Sequence, residues 1–181
     1  MDFPSNLGKW LIESKPSDDV LDELTDIEAN DRLIPALLDI LKNWDELVEG
    51  QSSQTAGWLV WKVFGYPFFL QHEPLNDDQT RLLVEGCERI TLSIPRLHEP
   101  EAPMENGFFM LWDLYAEGNQ LAFDALSRLV NHPDHRVQFA ALHGLGHRGD
   151  ARIPIIHKFI KKHPDLVDDD FVKQCLDGTV M

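Results

Sequence analysis

Apolar residues recur with the period of an α-helix through almost all of the 181 residues, and no segment shows the sustained alternation of a strand. A chain with this pattern has to bury its apolar faces by packing helices against helices. The clearest apolar stripe consists of Leu33, Leu37, Ile40, Leu41, Trp44 and Leu47. The length suits one domain, residues 1–181, with enough core to fold without disulfides. We therefore expect a single all-α domain.

Capping residues, prolines and glycines divide the chain into ten predicted helices. They span residues 5–13, 19–28, 32–49, 52–65, 77–94, 105–116, 119–131, 134–145, 151–163 and 167–176. The predicted N-caps include Ser17 or Asp18, Asp31, Ser52 or Ser53, Asn76 or Asp77, and Asp134, and Gly178 is the predicted stop of the last helix. We expect residues 1–30 to form an N-terminal cap and residues 31–181 to form four antiparallel pairs of consecutive helices.

The tripeptide His-Pro-Asp occurs twice, at residues 132–134 and 163–165, and each copy lies between two apolar helical segments. Proline cannot continue the first helix, and aspartate is a favoured N-cap for the second. A recurrence at a spacing of 31 residues is typical of a helical repeat protein.

Residues 131–156 resemble a HEAT-type helical repeat of the bacterial, phycobilisome-lyase type. In that pattern an Asp opens a helix, a Val follows three residues later, small residues and a Leu-Gly come next, and a Gly-Asp-x-Arg link leads into the next helix. The matching residues are Asp134, Val137, Ala141, Gly144, Leu145, Gly146, Gly149, Asp150 and Arg152. Gln138 and Arg148 depart from the pattern, which usually has Arg and Leu there. The match covers less than a quarter of the chain.

The resemblance implies an α-solenoid of about four stacked helix pairs, in which the second helices line a concave surface. Stacked helices approach closely, which explains small residues at Ala140, Ala141, Gly144 and Gly146. Glycine inside a helix costs about 1 kcal/mol relative to alanine, so close contact is expected to compensate. Gly146 has the alternative role of ending its helix.

The net charge of −15 is unevenly distributed. Residues 131–181 carry seven basic and seven acidic side chains, so the whole acidic excess lies in residues 1–130. Such a field repels nucleic acid and anionic lipid and attracts basic proteins, although a solvated acidic surface that aids solubility is the simpler interpretation. A small set of basic residues on the C-terminal helix pair could contact phosphates, but the overall negative charge still argues against nucleic acid as a partner. These residues are Arg148, Arg152, Lys158, Lys161 and Lys162.

Two cysteines, Cys87 and Cys175, lie in apolar helical segments and are predicted to be buried free thiols. The first 16 residues do not resemble a signal peptide, and no apolar run is long enough to span a membrane. These features predict a cytoplasmic protein.

Six of the eight histidines lie between residues 132 and 163, and His143 and His147 have the i, i+4 spacing of metal ligands. The residues between them are Gly-Leu-Gly, without the glutamate of a zinc protease. Gly146 is expected to end the helix and separate the two rings. We therefore predict no metal site and no cofactor.

No motif for nucleophilic catalysis or phosphate binding occurs in the chain. Glu99, Glu101 and Asp113 are candidates for acid–base chemistry, but solvated surface carboxylates explain them much better. We therefore predict that the protein is not an enzyme.

Two aromatic clusters fall in the second helices of the first two predicted pairs. The candidate concave patch consists of Trp58, Trp61, Trp112, Asp113 and Tyr115. Tryptophan and tyrosine are the usual energetic anchors of interfaces. The alternative is that these side chains form the core between helices.

These observations favour an acidic protein-binding module that engages a basic partner protein, such as a bacterial immunity protein that neutralises a toxin, or an adaptor. The alternative is an enzyme or enzyme subunit of the lyase-like HEAT family that acts on a small molecule or cofactor. A structural part of a larger assembly is a third interpretation.

Overall fold

The computed structural model describes residues 5–17, 19–20, 30–62, 75–97, 108, 111–113 and 119–180. Within these ranges the chain forms nine α-helices, three short 3₁₀ segments and no β-strand, which confirms the all-α prediction. The helices are α1 Leu7–Ser14, α2 Asn30–Lys42, α3 Trp44–Leu47, α4 Ser53–Val60, α5 Asp77–Ser93, α6 Gln120–Leu129, α7 His135–Gly146, α8 Ile153–Lys162 and α9 Asp170–Asp177. The predicted helices 19–28 and 105–116 lie almost entirely outside the described residues.

Several helix ends follow the predicted capping chemistry. Ser52 accepts a hydrogen bond from the backbone N–H of Thr55 at the start of α4. Asn76 forms a reciprocal capping box with Gln79 at the start of α5. At the end of α9, Gly178 adopts a left-handed conformation with φ of 72°, which only glycine reaches without strain.

The predicted helix 32–49 is wrong in two respects. Asn30 and Asp31 are already helical, so Asp31 lies inside the helix and is not the cap. A turn at Asn43 then separates α2 from α3, and the amide of Asn43 donates to the carboxylate of Asp39. The helical backbone hydrogen bonds from Asn43 to Asp39 and from Leu47 to Asn43 are retained, so the two helices follow each other with only a one-residue turn between them.

The start of the last helix is also different from the prediction. The second His-Pro-Asp copy leads into a 3₁₀ segment, Pro164–Leu166, and Asp169 caps α9 instead of Asp165. In the first copy Asp134 does cap α7, by accepting from the backbone N–H of Arg136. The two copies therefore share a sequence but only the first makes the predicted cap.

The helices pack in a continuous series: α2 on α5, α5 on α6, α6 on α7, and α7 on α9, which also contacts α8. The predicted pairs 119–131 with 134–145 and 151–163 with 167–176 are thus in contact. The apolar stripe predicted for residues 33–47, which lies on α2 and α3, faces this core. The structure does not describe the side chain of its first residue, Leu33. The largest fully buried side chains are Trp44, Trp112, Leu37, Leu41, Leu59, Ile90, Leu111 and Leu126.

Close packing explains the two glycines of α7. A Cβ atom on Gly144 would lie 2.6 Å from the Cβ of Trp112, and one on Gly146 would overlap the side chain of Val180. Gly146 is also the last residue of α7, so both predicted roles apply to it. The contact at Gly144 brings the segment around Trp112 directly against α7.

None of the helices in the described part of the chain is long and apolar enough to cross a bilayer.

Candidate metal centre

The end of α7 brings together three side chains that bind metals in other proteins. Nε2 of His143 lies 3.1 Å from Oδ1 of Asp113, and Nε2 of His147 lies 3.2 Å from the same oxygen. The two Nε2 atoms are 3.3 Å apart. In the described part of the chain this is the one group of at least three histidine, cysteine or acidic side chains with metal-ligand spacing.

The triangle of donor atoms has the size that a divalent transition metal requires. Bonds to such a metal are about 2.0–2.1 Å long, so two ligands are about 3.0 Å apart at an octahedral right angle and about 3.4 Å apart at a tetrahedral angle. The observed separations of 3.1, 3.2 and 3.3 Å lie between these values. Two imidazoles and a carboxylate are an established ligand set for zinc and for non-haem iron.

Asp113 reaches the histidines because the residue before it is anchored. Trp112 is fully buried, and its indole N–H donates to Oγ1 of Thr91 at 3.1 Å. Nη2 of the buried Arg148 donates to the backbone carbonyl of Trp112 at 2.8 Å. With the close approach at Gly144, these contacts hold the 111–113 turn against the end of α7.

The three candidate ligands differ in their access to solvent. His143 is 3% exposed, and its ring stacks on that of Phe171 from α9. The side chains of His147 and Asp113 are 33% and 23% exposed. The site is therefore buried on the His143 side and reaches water on the side of the other two residues.

Burial lowers the pKa of His147 below its usual value of 6.5, while the neighbouring carboxylate of Asp113 acts in the opposite direction and His143 and Arg148 make smaller contributions that lower it. The burial effect is the largest of these. The imidazole of His147 is therefore neutral near pH 7, which is the form that binds a metal.

The sequence-based expectation that Gly146 would separate the two histidines is wrong. The helix does end at Gly146, but His147 has φ of −87° and ψ of 7°, which keeps the chain close to the helical path for one more residue. The ring centroids remain 5.0 Å apart. The i, i+4 spacing therefore correctly indicated that the two rings are close, whereas nothing in the sequence connected either histidine to Asp113, which is 30 residues from His143.

The structure corrects the predicted aromatic patch. Trp112 is fully buried and cannot form part of an exposed surface, while Trp58 is partly buried against the core. Trp61 is 40% exposed and remains accessible. Asp113 is partly exposed but faces the two histidines, and Tyr115 lies outside the described residues. Of the predicted patch, Trp112 therefore belongs to the core, Trp61 to the surface, and Asp113 to the cluster that it forms with His143 and His147.

The remaining candidates do not form a second site in the described residues. Glu99 and Glu101 lie outside those residues. Cys87 and Cys175 are both buried and form no disulfide bond, as predicted. The guanidinium of Arg152 is buried against the backbone carbonyls of Cys175 and Leu176, so it contributes to packing and not to a basic surface.

Comparison with known proteins found no matching family model, no matching curated protein and no matching solved structure.

Proposed function

We propose that this protein is a metal-binding helical protein that holds one divalent transition-metal ion through Asp113, His143 and His147. The observation that supports the proposal is the near-equilateral triangle of two imidazole nitrogens and one carboxylate oxygen, with sides of 3.1 to 3.3 Å. A purely hydrogen-bonded cluster would instead have both imidazoles donating a proton to the same carboxylate oxygen. A cation replaces both protons and satisfies all three donor atoms at once.

Zn²⁺ is the metal that we expect first. Neutral imidazoles favour zinc, iron, copper and nickel over magnesium and calcium, which prefer oxygen ligands. Three protein ligands with a further position for water are typical of catalytic zinc, whereas structural zinc usually has four protein ligands. Because the described residues supply three such ligands, we favour the enzyme alternative over a purely structural ion.

The scaffold that we propose is a HEAT-like solenoid, as the resemblance around residues 131–156 implies. Three contacts support it. In the predicted pairing, α2, α5 and α6 are first helices of consecutive pairs, and each packs on the next. The second helices α7 and α9 also pack together. Stacking of first helices on first helices and second helices on second helices is the arrangement of such a solenoid.

Zinc binding tests the proposed function directly. After removal of metal with a chelator, the protein should bind one Zn²⁺ per chain in isothermal titration, with the metal content confirmed by elemental analysis. His147→Ala and Asp113→Asn should each weaken binding by at least about 100-fold, since even the loss of an outer-shell partner costs about 10- to 100-fold.

His157→Ala is the matched control, because His157 is an exposed histidine of α8 outside the cluster. This variant should bind zinc like the natural protein. Equal zinc affinity in the natural protein and in a variant with both Asp113→Asn and His147→Ala would contradict the proposal, as would a folded protein that binds no zinc.

A second candidate function is the binding of a basic protein, for which the exposed indole of Trp61 and the acidic excess of residues 1–130 are the supporting observations. A toxin-neutralising protein or an adaptor would have this role. Binding of a basic partner should weaken strongly with salt, and Trp61→Ala should weaken it without loss of folding. Partner affinity that is independent of salt and of Trp61 would exclude this candidate.

A further inference from the structure

Two clefts adjoin the short helix α3, and Glu46 and Gln51 line both of them. The first cleft has a volume of about 400 Å³ and is formed by α1, the end of α2 and α3. The second has a volume of about 440 Å³ and is formed by α3, the turn after it and the 3₁₀ segment Ile94–Arg96 that follows α5. Helix α3 and its following turn therefore separate two neighbouring clefts.

Close contacts hold the walls of both clefts in place. A Cβ atom on Gly8 of α1 would lie 2.8 Å from Cδ2 of Leu47, so α1 packs directly against α3. The indole N–H of the buried Trp44 donates to Oγ of Ser93 at 2.9 Å, which joins α3 to the end of α5. The clefts are therefore already formed in the free protein, which lowers the entropic cost of binding a partner.

Both clefts carry negative charge that no neighbouring cation offsets. Lys9 of the first cleft lies 3.6 Å from Glu13, so this base is matched by one carboxylate. Arg96 of the second cleft lies 2.6 Å from Asp45 and is matched in the same way. Three further exposed carboxylates line the clefts and form no ion pair with any residue that the structure describes, and they belong to Asp39, Glu46 and Glu49. Electrostatic complementarity therefore favours a cationic ligand.

The first cleft also has an apolar lining, to which Ile12, Ile40 and Leu47 contribute. A cation on an aliphatic stem, such as the side chain of lysine, buries its methylene groups against such a lining and keeps its charged end beside the carboxylates. A small inorganic cation makes no use of these apolar side chains. The combination of lining and charge therefore suits the long basic side chains of a protein.

We infer that a basic segment of a partner protein docks across α3 and inserts lysine or arginine side chains into the two clefts. This inference rests on the second candidate function, the binding of a basic protein, and assigns a surface to it. It does not depend on the metal site. Glu46 is the central carboxylate of this surface, because it lines both clefts.

A fluorescein-labelled octalysine peptide is the probe, and fluorescence anisotropy at low and at high salt measures its affinity. Glu46→Gln combined with Glu49→Gln should weaken binding by about tenfold at low salt, which corresponds to the loss of two exposed ion pairs. Glu85→Gln combined with Asp177→Asn is the matched control, because it removes the same charge from two exposed carboxylates that line neither cleft. The control should weaken binding by less than about twofold.

A second pair of variants adds a cation instead of removing carboxylates. Gln51→Arg places a guanidinium where it competes with the peptide, because Gln51 lines both clefts, and it should weaken octalysine binding severalfold. Gln54→Arg makes the same charge change at an exposed residue of α4 that lines neither cleft, and it should have little effect. Circular dichroism shows whether each variant is folded.

The outcomes separate the claims. Failure of octalysine to bind at low salt would overturn the second candidate function and this inference with it. Binding that Trp61→Ala weakens, but that the cleft variants change no more than their controls do, would overturn the inference alone. Full displacement of octalysine by an equal concentration of spermine would show that the clefts hold a small polyamine, and would also overturn it. Zinc affinity should be unchanged in the cleft variants, because no cleft residue belongs to the metal-ligand cluster.

Discussion

Gly144 and Trp112 are so close that the glycine has no room for a side chain: a Cβ atom on Gly144 would lie 2.6 Å from the Cβ of Trp112 and 2.8 Å from Cδ2 of Leu126. This approach sets the distance between α7 and the turn that contains Asp113. His143 and His147 lie at the end of α7, on the Gly144 side of this contact, and Asp113 lies in the turn on the Trp112 side. The absence of a side chain at residue 144 is therefore a condition for the metal-ligand cluster.

We expect Gly144→Ala to move the turn away from α7, which lowers both stability and zinc affinity. Overpacking of a core typically costs about 1–3 kcal/mol. Gly86→Ala is the matched control, because its Cβ would meet Leu41 at 2.6 Å in the contact between α5 and α2, away from the cluster. Denaturant unfolding and zinc titration of both variants should show a similar loss of stability but a loss of affinity only for Gly144→Ala. Equal zinc affinity in the two variants would contradict the positioning role.

The two tryptophans of the predicted patch should respond differently to truncation. Trp112→Ala should lower the free energy of unfolding by about 3–5 kcal/mol, because it leaves a large cavity and removes the hydrogen bond to Thr91. Trp61→Ala should change it by less than about 1 kcal/mol, since Trp61 is exposed. Thermal unfolding measures both values. If Trp112→Ala does not fold, Trp112→Phe should give a smaller loss, which still exceeds that of Trp61→Ala.

The cap of α7 predicts how stability depends on acid. The Arg136 side chain hydrogen-bonds the carboxylate of Asp134 and lowers its pKa from 3.8 to about 2. A carboxylate with a lowered pKa stabilises the folded state above the unfolded pKa, and this contribution is lost as the pH falls from about 4 towards 2. Asp134→Asn, which keeps a capping side chain, should therefore cost about 1–2 kcal/mol at pH 6 and progressively less towards pH 3.

Urea unfolding of the natural protein and of Asp134→Asn between pH 3 and pH 6 measures this difference. Asp134→Ala should add about 1 kcal/mol of destabilisation at every pH, because it also removes the cap. A constant difference between the natural protein and Asp134→Asn over the whole range would mean that the ion pair with Arg136 contributes nothing.

Cys175 should be chemically inert while the protein is folded. Burial raises the pKa of its thiol to about 12, so almost no thiolate is present near pH 8. In a Cys87→Ala background, which leaves one thiol, alkylation by iodoacetamide should occur only as the protein unfolds. The rate should therefore rise with urea in parallel with the loss of helical circular dichroism. Rapid labelling in the absence of urea would show that Cys175 is accessible in the native state.

Local rules predicted the starts of several helices correctly. Ser52, Asn76 and Asp134 cap the helices that they were expected to cap, because capping depends only on residues within one turn. The prediction that the second His-Pro-Asp copy caps α9 is wrong, because the Pro164–Leu166 turn intervenes and Asp169 provides another start for the helix. A short motif allows both solutions, and the packing of the neighbouring helices selects one.

The sequence by itself determined the all-α class, most of the helix positions and the buried state of both cysteines, since helical periodicity and capping act over a few residues. Only the tertiary structure decided that Trp112 is core and that Asp113 meets His143 and His147. Asp113 is 30 positions from His143, and their contact depends on the glycine at residue 144 and on the hydrogen bond from Arg148 to Trp112. A contact across the core depends on how whole helices pack, and no local pattern in the chain encodes that distance.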